Sequence, residues 1–213
     1  GNVNVDTTQA GYWTTDDSGV LTASDESNYN VYYDANGTLY LNNATISGVS
    51  TTNYGAGIWF KGGDLVIYLE GNNKINASSN NGYSAGIFNS YDFQHGLTLT
   101  EGGSLDIGSS DANSSAYAIF IAKDITLDNV NVTASTGKAD NTRNEVIRSE
   151  AGSIYIRNST VYAESPDNDT VPYSRGLMAG NGLDGISITI ENSTVTAVAG
   201  NARSDSTAIE AND

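Results

Sequence analysis

The chain of 213 residues contains no cysteine, 2 prolines, 1 methionine and 1 histidine. The absence of cysteine excludes disulfides, thiolate nucleophiles and Cys-ligated metals from the chemistry of this chain. Positive charge is also scarce, with 9 Lys and Arg against 25 Asp and Glu. Because so negative a surface repels phosphates, nucleic acid is not expected as a partner.

The sequence lacks an apolar run of about 18 residues, so we predict no membrane-spanning helix. Its first residues, GNVNVDTTQA, contain no basic segment followed by an apolar core, although a leader removed earlier would leave the same start. We interpret Gly1 as a cloning scar, as in a secreted protein expressed without its leader. The abundant residues are Gly, Asn, Thr, Ser and Tyr, which are typical of short strands and tight turns.

Two hydrophobic motifs recur along the chain with a period of roughly 30 residues, which lies in the range typical of solenoids. In the first motif, IYIRNSTVYA at 154–163 returns as ITIENSTVTA at 188–197. The position of Arg157 in the first copy is occupied by Glu191 in the second. We interpret this charge reversal to mean that the two copies share a backbone shape but not an electrostatic contact. The aliphatic anchors of the first motif are Leu41, Leu69, Leu99, Leu127, Ile156 and Ile190. Those of the second motif are Ile58, Ile87, Ile119, Ile147, Leu177 and Ile209.

Each repeat is predicted to contain three short strands with one buried face, because apolar residues alternate with polar ones. Stacked repeats would form an all-β fold, a parallel β-helix of about six coils over residues 38–213, right-handed by the general rule for parallel crossovers. Leu41, Leu69 and Leu99 should then line up. The aromatic-rich residues 1–37 are predicted to cap the first coil. No similar segment follows Ile209, so we expect the last coil to continue in a longer chain or to contact a partner.

The turn between the first two strands of each repeat carries Asn or Gly. A turn this sharp requires a residue with positive φ, which Asn and Gly adopt most readily. We predict that these residues form a ladder along the stack, with asparagine side chains hydrogen-bonded between coils. The predicted ladder consists of Asn43, Asn73 (or its neighbour Asn72), Gly103 (or Gly102), Asn129, Asn158 and Asn192.

The asparagine ladder and the three-strand repeat resemble those of the pectate-lyase-like superfamily of right-handed β-helices. The segments YNVYYDANGTLYLNNATISG at 29–48 and GIWFKGGDLVIYLEGNNKI at 57–75 are similar to repeats in uncharacterised extracellular proteins of gut anaerobic bacteria. This resemblance implies the fold and an extracellular or cell-surface location, but a fold by itself does not imply a function.

Catalytic motifs of the superfamily are not found in this sequence. The polygalacturonase set has no counterpart, since His95 follows Gln94 and no Arg-Ile-Lys occurs. For a pectate lyase the chain offers Arg148 and Arg157, with Asp128 one coil from Arg157, and we interpret these as surface ion pairs. No catalytic residue, metal site or cofactor is therefore predicted. The candidates for loosely bound calcium are the pairs Asp16–Asp17 and Asp25–Glu26.

Aromatic residues are predicted to stand outside the coils in two columns. The residue after each anchor of the second motif should point outward, which gives an exposed column of Trp59, Phe88, Phe120, Arg148, Met178 and Glu210. On the first strand, Tyr40 and Tyr68 begin a similar column. Exposed rings beside amides and hydroxyls favour contact with a sugar face. The candidate carbohydrate-binding residues are therefore Trp59, Phe88, Phe120, Tyr40 and Tyr68. The structural alternative is that these rings only stiffen adjacent coils or lie beneath long loops.

The expected function is that of a non-enzymatic, extracellular bacterial surface or adhesion module with affinity for a polysaccharide or a host or cell-surface glycan. The alternative is a polysaccharide lyase or glycoside hydrolase that acts on acidic glycans. Ice binding would require an unbroken column of threonines on the second strand. The outward threonines there, Thr133, Thr160, Thr194 and Thr196, are interrupted by Lys74, Asp106 and Tyr162.

Overall fold

The computed structural model describes residues 8–50, 53–89, 94–182 and 184–212, and every regular element in these ranges is a β-strand. The chain forms a parallel β-helix of about six turns, as predicted, with three strands in each turn. The strands form three sheets that run along the stack, and each sheet takes one strand from every coil. The described part of the chain contains no helix that is long and apolar enough to cross a membrane.

Three strands precede the coils, namely β1 (Gly11–Thr14), β2 (Thr22–Ala23) and β3 (Val31–Tyr33). The first sheet continues with β4 (Thr38–Asn42), β7 (Leu65–Glu70), β10 (Leu97–Thr100), β13 (Ile125–Asp128), β16 (Ile154–Arg157) and β19 (Ile188–Glu191). The second sheet contains β5 (Thr45–Ser50), β8 (Asn72–Ser79), β11 (Ser104–Ser109), β14 (Asn131–Thr136), β17 (Thr160–Glu164) and β20 (Thr194–Val198). The third sheet contains β6 (Tyr54–Trp59), β9 (Tyr83–Phe88), β12 (Ser115–Ile121), β15 (Arg143–Ser149), β18 (Tyr173–Ala179) and β21 (Asp205–Ala211).

Aliphatic side chains stack in columns through the interior of the coil. In the third sheet the predicted anchors are register partners from coil to coil, in the order Ile58, Ile87, Ile119, Ile147, Leu177 and Ile209. The second sheet contributes the column Ile46, Ile75, Ile107, Ala134, Ala163 and Ala197. A single coil cannot bury these side chains, so the stack as a whole creates the core.

The first sheet contains one register shift that the aligned motifs did not predict. Leu41 pairs with Leu69 as expected, but Leu99 pairs with Ile67 rather than with Leu69. The strand β10 is two residues shorter than β7. The carbonyl of Leu69 therefore accepts a hydrogen bond from the backbone N–H of Gly103, at the corner that follows β10. A shift of two residues keeps every side chain on its original face, so Leu69 and Leu99 are both fully buried.

The turns between the first two strands use left-handed residues, although not at every predicted position. Positive φ occurs at four predicted asparagines, with values of 51° at Asn43, 56° at Asn129, 50° at Asn158 and 49° at Asn192. In the second and third coils the left-handed glycines are Gly71 and Gly102, at 66° and 83°. The predictions of Asn73 and Gly103 for this role are therefore wrong by one or two residues.

Asn73 and Gly103 have other roles at the same corner. The buried side chain of Asn73 points inward, where its Oδ1 accepts from the N–H of Ala44 at 2.9 Å and its Nδ2 donates to the carbonyl of Glu70 at 3.0 Å. Gly103 allows a close approach of two coils, because a Cβ there would lie 2.4 Å from the carbonyl oxygen of Leu69. A side chain at that position would displace the neighbouring strand.

The left-handed asparagines are not joined by an amide-to-amide ladder in the described part of the chain. Asn43 Oδ1 accepts from the backbone N–H of Asn72 at 3.0 Å, and Asn158 Nδ2 donates to Asp128 Oδ1 at 3.2 Å. The asparagines therefore recur chiefly because the backbone turns left-handed at these corners.

Replacing Asn158 with alanine should lower the free energy of unfolding by roughly 1 kcal/mol, because alanine tolerates the left-handed conformation poorly. Asn158→Gly removes the same side chain but keeps the left-handed conformation accessible. We expect it to lower the free energy of unfolding by only a few tenths of a kcal/mol. Denaturant unfolding of both variants would measure the difference. Equal losses in the two variants would show that the hydrogen bond to Asp128, rather than the backbone, determines the residue at this corner.

The two ends of the stack differ in how their apolar side chains are covered. At the first coil, β3 pairs antiparallel with β4, and Val31 and Tyr33 are buried against the core together with part of Trp13 and Leu21. At the last described coil, the large apolar side chains of Ile190, Val198 and Ile209 are exposed.

The charge reversal between the two most similar repeats has a physical explanation. Arg157 and Glu191 are register partners on adjacent strands, and Arg157 Nε lies 3.0 Å from Glu191 Oε2. The interpretation that these positions share no electrostatic contact is wrong, because the two copies contact each other. Stacking identical sequences would place like charges one above the other, and the reversal replaces that repulsion with a surface ion pair.

Candidate functional site

The outer face of the third sheet carries the predicted aromatic column. Trp59, Phe88 and Phe120 are register partners on successive coils, with ring centroids 5.6 Å and 5.4 Å apart. Trp59 is 43% exposed, but Phe88 is 5% and Phe120 only 1% exposed. The prediction that Phe88 and Phe120 are exposed is therefore wrong.

Phe88 and Phe120 are buried because other aromatic residues share this outer face. They form a separate apolar cluster with Ala85 and Tyr117, in which the rings of Tyr117 and Phe120 lie 4.9 Å apart. A sheet in a β-helix can therefore be buried on both of its faces, as the burial of every residue of β12 shows. This cluster stiffens adjacent coils, which is the structural alternative to a binding surface.

The exposed end of this aromatic cluster consists of Tyr54 and Trp59. The ring of Tyr54 stacks on Tyr83 at a centroid distance of 5.3 Å and an interplanar angle of 6°. The ammonium group of Lys61 lies 4.1 Å from the centroid of the Trp59 ring. Of the three predicted residues in the column, only Trp59 is well placed to contact a ligand.

Charged side chains continue the same face beyond Phe120, and sequence reasoning missed them as a group. Arg148 is the register partner of Phe120, and it is 1% exposed rather than outward in solvent as predicted. Its guanidinium contacts Glu145 Oε2 and Glu150 Oε2, each at 2.6 Å. On the next coil Arg175 contacts Glu145 Oε1 at 2.8 Å. Arg175 also contacts Asp205 and Glu210.

This charged network is a poor candidate for catalysis by an arginine base. Burial by itself lowers the pKa of Arg148, but the carboxylates of Glu145 and Glu150 outweigh it and raise the pKa above the usual value. A lyase base must instead release its proton near neutral pH. Arg157, the other predicted candidate, is held by Glu191, and Asp128 accepts from Asn158. These contacts are typical of structural ion pairs.

The outer face of the first sheet carries a second aromatic surface. Tyr12, Tyr32, Tyr40 and Tyr68 are register partners on the adjacent strands β1, β3, β4 and β7. We call these four residues the tyrosine ladder. The first three rings are stacked, with centroids 4.6 Å and 5.3 Å apart, whereas Tyr68 meets Tyr40 edge to face at 4.9 Å. Stacking hides the ring faces inside the ladder, whereas the ring of Tyr68 stands nearly perpendicular to that of Tyr40, at an interplanar angle of 78°.

A groove of about 530 Å³ runs beside the tyrosine ladder. We call it the tyrosine groove, and it is lined by Tyr29, Asn30, Tyr32, Tyr40, Leu41, Asn42, Tyr68, Leu69, Glu70 and Glu101. Its volume lies within the range of small-molecule sites. Among the lining residues, Tyr29 is 44% exposed. The Nδ2 of Asn42 donates a hydrogen bond to Glu70 Oε2 at 3.0 Å. The groove therefore combines aromatic rings with amides and carboxylates, and it contains Tyr40 and Tyr68.

The hydroxyls of Tyr12 and Tyr40 remain protonated to higher pH than that of free tyrosine. Desolvation, followed by the charge and hydrogen bond of Tyr32 and the charge of Glu26, raises the pKa of Tyr12. Desolvation, followed by the negative charges of Asp34 and the neighbouring tyrosines, raises the pKa of Tyr40. Tyr40 lines the groove, and its hydroxyl can therefore still donate a hydrogen bond to a ligand above neutral pH.

The remaining predicted candidates lie apart from both aromatic surfaces. His95 Nδ1 is 3.9 Å from Asp64 Oδ1 at the entry to β10. The carboxylates of Asp16 and Asp25 accept hydrogen bonds from Ser18 and Ser27, which lower the pKa of each carboxyl group. Within the described ranges, no group of three or more His, Asp or Glu side chains is placed to hold a metal ion. On the second sheet, Lys74, Asp106, Thr133, Tyr162 and Thr196 are register partners, so the threonines there are separated along the stack.

Comparisons with protein-family models, with curated proteins and with solved structures give no match to this chain.

Proposed function

We propose that this protein is a surface module that binds a carbohydrate chain in the tyrosine groove. The observation that carries the proposal is the tyrosine ladder beside a groove that is also lined by amides and carboxylates. Sugars present C–H groups on one face and hydroxyls at their edges, so they bind where aromatic rings and hydrogen-bonding groups lie together.

The ring geometry favours particular contacts within the groove. Tyr29 and Tyr68 stand at the edges of the stacked rings, so their faces suit C–H groups of a sugar. The stacked rings of Tyr32 and Tyr40 present their edges and hydroxyls instead. Asn30 and Asn42 supply amides that can donate to and accept from sugar hydroxyls. Trp59 and Tyr54 form a second exposed aromatic surface on another sheet, to which a long polysaccharide could extend.

The wider setting of this module is also part of the proposal. Its repeats resemble those of the pectate-lyase-like superfamily and of extracellular proteins from gut anaerobic bacteria, which supports a role at a bacterial cell surface. A polysaccharide or a host glycan would be the partner of such an adhesion module. The buried ion pairs of Arg148 and Arg175 support a binding role over that of an acidic-polysaccharide lyase.

Replacing Tyr68 with alanine should weaken glycan binding about tenfold, which corresponds to the contribution of one aromatic contact. Tyr155→Ala is the matched control, because Tyr155 is half-buried on the outer face of the same sheet but lies outside the groove. A glycan array with the wild-type protein would identify a ligand, and calorimetry would then compare the variants. A wild-type protein that retains no glycan, or equal losses in both variants, would contradict the proposal.

A further inference from the structure

We propose that the tyrosine groove selects glycans that carry free amino groups, a statement that rests on the proposed carbohydrate binding. The occupant would be a chain of amino sugars whose protonated amines lie against the carboxylates of Glu70 and Glu101. Neutral sugars would bind more weakly, and uronic acids or sulfated sugars would be excluded.

The charge of the groove carries this inference. Its lining contains the carboxylates of Glu70 and Glu101, and no Lys or Arg is among the described residues that line it. The negative charges of Asp34 and Glu26 also act on the adjacent tyrosine ladder. The chain as a whole carries a formal net charge of -16. An anionic sugar would enter this groove against like charges, whereas a cationic sugar would be attracted from a distance.

The chemistry of the walls suits an ammonium group in particular. A carboxylate forms strong charge-assisted hydrogen bonds with an amine, and the face of a tyrosine ring attracts a cation. Glu70 and Glu101 lie in the same groove as Tyr68 and Tyr29. A chain of amino sugars could therefore place its amines on the carboxylates while its C–H groups pack against the rings.

Glu101 also differs from the residues at the equivalent corners of other coils. Glu101 has a φ of 86°, in the left-handed region that side chains with a Cβ rarely adopt. Equivalent corners of four other coils place asparagine in this conformation. The third coil therefore has a carboxylate at a corner where those coils have an amide.

Calorimetry with β-1,4-linked oligomers of equal length would test this inference, using glucosamine, N-acetylglucosamine and glucose as the repeating sugars. These ligands share their linkage and differ only at C2. At slightly acidic pH, where the sugar amines are protonated and the carboxylates ionised, we expect the glucosamine oligomer to bind about tenfold more tightly than the glucose oligomer. An oligomer of glucuronic acid should show no measurable binding.

Charge variants separate the groove from the general attraction of an acidic protein for a cation. Glu101→Gln should remove most of the preference for glucosamine, so that the glucosamine and glucose oligomers bind this variant with similar affinity. Asp140→Asn removes the same charge from an exposed position outside the groove, and it should keep the preference. Equal binding of the three oligomers would overturn the inference while leaving the proposed carbohydrate binding intact. No binding of any oligomer would contradict both, and an equal effect of the two variants would show that the preference arises from net charge alone.

Discussion

Replacing Glu145 with alanine is expected to lower the free energy of unfolding by about 3–5 kcal/mol, because it breaks a buried network of ion pairs. Glu145 is fully buried and joins Arg148 to Arg175 through its two carboxylate oxygens. Without this carboxylate, two buried guanidinium groups lose a shared counter-charge that water cannot replace. Denaturant unfolding at neutral pH would measure the loss.

The surface pair of Arg157 and Glu191 provides the matched control for this prediction. It also joins adjacent coils through one guanidinium and one carboxylate, but about half of each side chain is exposed to solvent. Glu191→Ala should therefore cost about 0–1 kcal/mol, and added salt should reduce even that difference. Glu145→Gln keeps the buried volume, so a large loss in this variant as well would assign the effect to charge. A loss at Glu145 no greater than that at Glu191 would mean that the buried network does not stabilise the coil.

Replacing Phe120 with alanine should lower the free energy of unfolding by about 3–5 kcal/mol, because it would leave a cavity in the outer aromatic cluster. Phe120 is almost fully buried between Phe88 and Tyr117, with ring centroids within 5.4 Å and 4.9 Å. The cluster lies outside the main core, so this variant also measures how much the outer face contributes to the fold.

Trp59→Ala is the control for Phe120→Ala, since Trp59 belongs to the same column but is nearly half exposed. We expect it to cost about 1 kcal/mol or less and to leave the coil folded. Thermal and denaturant unfolding of the two variants would be compared under the same conditions. Similar losses of stability in the two variants would contradict the difference in burial between Trp59 and Phe120. Binding of a glycan by Trp59→Ala, measured beside Tyr68→Ala, would then show which aromatic surface the ligand uses.

The repeat pattern predicts the interior of this fold well. Alternation and period together identify which residues face inward, and the six anchors of the third sheet pair as the sequence alignment indicates. This works because most inward positions require only an aliphatic side chain of suitable size.

The outer faces could not be predicted in the same way. Alternation places Phe120 and Arg148 outside the coil, but it does not show what else packs there, and both are buried. The four-residue tyrosine ladder depends on the antiparallel pairing of β1, β3 and β4, which lies outside the repeat. Only Tyr40 and Tyr68, which fall within the repeat, could be placed from the sequence. Charged residues of opposite sign within three residues of the anchors of adjacent coils, namely Glu145, Arg148 and Arg175, were the signal that could have indicated the ion network.

The exact corner residue was also beyond the sequence pattern. Asn73 and Gly103 stand beside Gly71 and Gly102, and any of them could have adopted positive φ. Which residue adopts positive φ depends on two contacts that the sequence does not show. Asn73 is needed inside the coil, where it accepts a hydrogen bond from the N–H of Ala44. At Gly103 the neighbouring backbone leaves no space for a Cβ.

The register shift at Leu99 shows how a strand of this coil can change its length, namely by an even number of residues. An insertion or deletion of two residues in a strand keeps hydrophobic side chains inside the coil, and the adjacent corner absorbs the difference. A change of one residue would turn the interior outward over the whole strand. Strands of this kind can therefore change length in even steps without exposing their interior, while odd changes are accommodated in the loops on either side of the third sheet.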